Sequence, residues 1–136
     1  MLRDYTTYLI KNQLRDMSDR KAQKLVRVID QNIMRLFAIE DRFEIGYLLP
    51  GMRKRHYGSR FGLTAQAQKG AKPLTWHEAV QRVRADMRFK TDEQAINAFE
   101  TYLKAHLSVM SATARLRFAQ ACPDDLLRVY LRVLNS

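Results

Sequence analysis

SDRKAQKLVRVIDQNIMRLF, residues 18–37, decides the fold class. Ala22, Leu25, Val26, Ile29, Ile33, Leu36 and Phe37 recur three and four positions apart, the spacing that gathers side chains on one side of an α-helix. Ser18 stands where an N-cap belongs, and its hydroxyl can take a backbone donor that the first turn leaves open. The run predicts a helix of about five turns at the usual rise per residue. Arg20, Lys24, Arg27, Gln31 and Arg35 follow one another by four, three, four and four, so they form a basic stripe on the opposite face. Asp19 and Asp30 dilute that stripe, and a solvated helical face often has the same look.

Upstream, Leu2, Tyr5, Leu9 and Met17 suggest a first helix. Downstream, Phe43, Ile45 and Leu48 extend the apolar pattern to Leu49, where Pro50 and Gly51 are expected to stop it, because the residue before a proline avoids the helical region. Beyond Pro73 the helix signals return. Thr75 with Glu78, and Thr91 with Gln94, are capping-box spacings. The first opens a helix with Trp76, Val80, Val83 and Met87 on its apolar face; the second, one with Ala95, Ile96, Phe99, Tyr102, Leu103 and Leu107. Ser111 caps a shorter helix carrying Ala114, Leu116, Phe118 and Ala119. Pro123, Asp124 and Asp125 suit the first turn of a last helix, whose seven apolar residues between Leu126 and Leu134 place it centrally in the core. No strand pattern, internal repeat or low-complexity tract occurs. The expectation is an all-α, compact single-domain bundle of about six helices over residues 1–136. Helices at 2–49 and 75–134 would share one core, with the faces around Ile29 and Ile33, Val80 and Val83, Phe99 and Leu103, and Leu127 and Leu131 meeting in it.

The segment between the two helical parts, residues 50–73, has neither helical nor strand periodicity and reads as a loop or arm. From Glu44 to Glu78 the chain has no acidic residue in between, while Arg53, Lys54, Arg55, Arg60, Lys69 and Lys72 add six of its ten net positive charges. The flanking parts each hold nine basic and seven acidic side chains, so the excess is local, and a local excess points to a polyanionic partner. His56, Tyr57 and Phe61 lie among these cations. Cations neutralise phosphates and aromatic rings offer faces for bases, so the arm suits a nucleic acid. A second set, His77, Gln81, Arg84 and Arg88, lies on the side of its helix away from Trp76 and Val80. Gln and Arg are side chains that read base edges.

Catalysis finds little support. His56, His77 and His106 have no metal-ligand spacing with one another or with Cys122, and no phosphate-cradling glycine motif is present. Ser18 and Lys21 match S-x-x-K, but read as a cap and a surface lysine. Cys122 reads as a buried thiol and His106 as a hydrogen-bonded boundary residue. A helix-turn-helix drawn over residues 111–134 offers only Arg128 and Arg132 on its second helix, too few polar groups for reading bases. No cofactor, metal or membrane span is expected, and the lone cysteine with no leader-like N-terminus suggests a cytoplasm. The expected function is non-catalytic nucleic-acid binding, DNA slightly before RNA, by a small regulator or accessory factor that could form a homodimer. The contacts would be Arg53, Lys54, Arg55, His56, Tyr57, Arg60, Phe61, Lys69 and Lys72 of the arm, Arg20, Lys24, Arg27 and Arg35 of the stripe, and Arg84 and Arg88. The alternative is an adaptor or inhibitor that docks on an acidic protein surface.

Overall fold

The computed structural model describes residues 5–14, 17–52 and 72–136, and every regular element among them is helical. In chain order these are α1 (Tyr5–Gln13), α2 (Asp19–Met34), a 3-10 turn (Ile39–Asp41), α3 (Arg42–Leu48), α4 (Trp76–Met87), α5 (Asp92–Leu107), α6 (Ala112–Ala121) and α7 (Asp124–Leu134). Residues 53–71 lie outside the described part, and with them the arm contacts Arg53, Lys54, Arg55, His56, Tyr57, Arg60, Phe61 and Lys69.

The local signals read from the sequence place most helix starts. Ser18 Oγ accepts the Lys21 N–H, and Ser111 Oγ accepts the Ala114 N–H. Both capping boxes form, with Thr75 and Glu78 exchanging hydrogen bonds at 3.0 and 3.1 Å, and Thr91 and Gln94 at 3.2 Å each way. A cap of this kind contributes about 1 kcal/mol to its helix. At the start of α4, Asp125 of α7 adds a tertiary partner by accepting the Trp76 N–H at 2.7 Å. That bond fixes the N-termini of α4 and α7 against each other.

Helices from both sides of the undescribed segment contribute to one apolar cluster. Ile10, Ile29, Ile33, Val83, Phe99, Leu103, Phe118 and Leu126 are all fully buried within it. The Trp76 ring lies 4.8 Å from that of Phe99, and the Phe118 ring meets Phe37 edge-on at 5.4 Å. One polar pair is enclosed as well: the Tyr102 hydroxyl donates to Asp30 Oδ1 at 2.5 Å, tying α2 to α5.

Three expectations are corrected. The second helix ends at Met34 and not near Phe37, because tertiary partners take the carbonyls just beyond it that a longer helix would use. The Arg35 carbonyl accepts the Leu74 N–H at 2.7 Å, and the Phe37 carbonyl accepts from Nε of the buried Arg42 at 3.0 Å. Leu36 and Phe37 stay in the core on a turn, and α3 becomes a separate helix. Pro50 does not begin a loop: Leu49 is extended, Pro50 opens a new helical turn, and Met52 is fully buried. A proline at a first helical position lacks only a donor that would be unpaired there anyway. Finally, α7 is less central than its composition suggests. Leu126, Val129, Tyr130 and Val133 face the core, whereas Leu131 and Leu134 are exposed and Leu127 only half-buried, since eleven helical residues cannot all face one way.

Candidate functional site

The basic stripe of α2 borders a groove that it shares with a neighbouring helix. α4 runs antiparallel to α2: Leu74 bonds to Arg35 at the far end of α2, Arg82 Nε from the middle of α4 donates to Asn32 Oδ1 in the last turn of α2 at 3.1 Å, and the C-terminal end of α4 reaches the first turns of α2. There the two helices enclose a groove of about 530 Å³. Arg20, Lys21, Lys24 and Arg27 line it from α2, and Arg88 lines it from the end of α4. All five cations are exposed, and among the described residues none makes an ion pair. Asp86 is the single acidic residue in the lining. At about 1.5 Å of rise per residue, Arg20 to Arg27 spans roughly 10 Å of helix axis.

Folding also engages the two carboxylates that lie near the stripe in sequence, pairing one at the surface and burying the other. Asp19 pairs with Lys11 of α1 at 3.3 Å, and Asp30 turns into the core to meet Tyr102. The positive face is therefore purer than its sequence. Like charges three and four apart on a helix destabilise it by about 0.2–0.5 kcal/mol per pair, so an unscreened cluster of this kind opposes folding unless an anion lies over it.

Other expected contacts have different surroundings. Arg35 lies beyond the end of α2, half-buried, with Nε finding no hydrogen-bond partner among the described residues, and it does not line the groove. Arg84 is committed to structure. Its Nη1 bonds Asp92 Oδ1 at 2.7 Å and its Nη2 donates to the Lys90 carbonyl at 2.7 Å, while Gln81 donates to the same Asp92 oxygen at 2.9 Å. Gln81 first and Arg84 second hold the Asp92 carboxyl below the usual aspartate range. These groups clamp the turn between α4 and α5. Lys72 is exposed just before α4, away from the groove. The sequence reading missed Lys21 as a groove residue, although its place beside Arg20 and three before Lys24 was a usable signal.

The groups with catalytic potential have structural surroundings. The His106 ring is fully buried, tilted at 43° to the Tyr102 ring with centroids 4.3 Å apart, and its Nδ1 lies 3.0 Å from the Tyr102 carbonyl. Cys122, between α6 and α7, is half-buried, and burial together with Asp125 raises its thiol pKa to about 12. At pH 8 roughly one part in ten thousand of such a thiol is ionised, against about a quarter of a free one, and the thiolate is the reacting form. Alkylation of the native protein by iodoacetamide at pH 8 is accordingly expected to run about a thousandfold slower than in urea. Equal rates in the two states would show that burial does not protect this sulfur. Among the described residues no cluster of three or more His, Cys, Asp or Glu could hold a metal ion, and no helix is long and apolar enough to cross a membrane.

Comparison with protein-family profiles, curated proteins and solved structures finds no match for this chain.

Proposed function

We propose that the protein binds the phosphate backbone of duplex nucleic acid, DNA before RNA, as a non-catalytic regulator or accessory factor. The observation that carries this reading is the groove between α2 and α4, where five exposed cations from two helices meet a single carboxylate. Phosphates fix a protein on a duplex without conveying sequence, and arginine and lysine are the side chains that grip them. The groove lining contains no aromatic residue, so it has no platform for unstacked bases, which favours a duplex over a single strand. Gln81 and Arg84 are engaged with Asp92, which removes the side chains best suited to base edges from that helix. Binding should accordingly be sequence-tolerant. The basic segment holding Arg53, Lys54, Arg55 and Arg60 adds four more cations to the same chain, and Tyr57 and Phe61 within it supply the rings that the groove lacks.

The test is a binding titration against mixed-sequence duplex DNA, single-stranded DNA and duplex RNA over a range of salt. Duplex affinity should fall linearly with salt on a log–log plot, by roughly 0.9 units of slope for each phosphate neutralised. Unrelated duplex sequences should bind alike. No affinity for any of the three, with tight capture by an acidic protein surface, would replace this reading with the adaptor.

A further inference from the structure

We propose that Arg88 is a phosphate anchor set in place by a left-handed backbone turn that holds its guanidinium beside the α2 stripe. The proposal rests on the duplex reading of the groove and names the residue that completes it. α4 ends in a Schellman turn: the Arg88 N–H donates to the Ala85 carbonyl at 3.2 Å, the Phe89 N–H to the Arg84 carbonyl at 2.9 Å, and Phe89 packs back against the core. Arg88 takes the left-handed position of that turn, with φ 56° and ψ 40°. It is the one non-glycine residue of positive φ among the described residues.

Glycine suits such a position, because any Cβ there crowds the following carbonyl. The turn needs nothing from an arginine side chain, since backbone N–H groups already satisfy the carbonyls of Arg84 and Ala85. What the side chain does have is exposure and a place on the groove opposite Arg20, Lys24 and Arg27. Arg84, one turn earlier, supplies the contrast, because its guanidinium is committed to Asp92. A cation near a helix C-terminus also balances the helix dipole, but any position in the last turn would serve that purpose without strain. Strained backbone of this kind is found at ligand clamps, and a guanidinium fork can grip a phosphate through two hydrogen bonds at once.

Three variants separate the possibilities: Arg88→Gly relieves the backbone and removes the charge, Arg88→Asn tolerates the left-handed turn without charge, and Arg88→Lys keeps the charge. Each is melted thermally and titrated with a mixed-sequence DNA duplex at several salt concentrations. The Gly and Asn variants should melt no lower than the parent, yet bind about eightfold more weakly at 0.1 M salt with a log–log slope shallower by about 0.9. The Lys variant should retain the parent slope. If the parent binds duplex and the Gly and Asn variants keep its slope, Arg88 is no anchor; lower melting with an unchanged slope gives it to the helix dipole instead. A parent chain that does not bind duplex removes the groove reading itself, a result distinct from either.

Discussion

Replacing Phe99 with alanine is expected to lower the unfolding free energy by about 3–5 kcal/mol, the range for emptying a well-packed aromatic site. Phe99 is fully buried in the middle of α5, and α5 packs on α1, α4 and α7, so the void would open where several helices meet. The tilted contact with Trp76 goes too, a contribution of about 0.5–1.5 kcal/mol beyond area for an aromatic pair. The Trp76 backbone N–H stays bonded to Asp125, which keeps the main chain at the start of α4 from following the ring into the vacated space. Phe99→Leu keeps more of the volume and should cost clearly less. Urea unfolding followed by circular dichroism measures both variants, with an unchanged m-value showing that the denatured state is not what shifted. A loss below about 1 kcal/mol for the alanine variant would mean that the site collapses freely and that α5 is not the hub of the packing.

The parts of this molecule legible in the sequence are those set by neighbours in the chain. Caps need only a hydroxyl and a backbone amide three residues on, so Ser18, Thr75, Thr91 and Ser111 could be placed from spacing, and each accepts the bond expected of it. The stripe of Arg20, Lys24 and Arg27 follows from helical geometry in the same way. What spacing could not reveal depends on partners far along the chain. The early end of α2 rests on Leu74 and Arg42, and the burial of Asp30 rests on Tyr102, seventy-two residues away. For Arg84 the sequence shows the helix face it lies on, but not the bond to Asp92 across the turn. Arg88 reads from spacing as a basic residue on a helix face, yet it reaches the groove from beyond that helix, through a backbone turn that carries no glycine to announce it.

Replacing Arg20, Lys24, Arg27 and Arg88 together by glutamine is the change expected to affect binding most. If each side chain neutralises one phosphate, the log–log salt slope for duplex DNA should become shallower by about 3.6 units, and affinity at 0.1 M salt should fall by more than three orders of magnitude. The loss should be the same for unrelated sequences, because phosphate contacts position a protein without reading bases. Stability should hold or rise slightly, since the variant removes like-charge neighbours from exposed positions and buries nothing. A parallel variant with Arg53, Lys54, Arg55 and Arg60 replaced by glutamine separates the groove from the basic segment. Where the two surfaces act independently, the combined variant should lose the sum of the two slope changes. Removing Tyr57 and Phe61 should instead weaken single-strand binding, at about 1–3 kcal/mol per stacked base, and leave the duplex slope alone. If the groove variant is folded and keeps the parental slope while the segment variant loses it, the binding surface is the segment and the cations along α2 are only a solvated face.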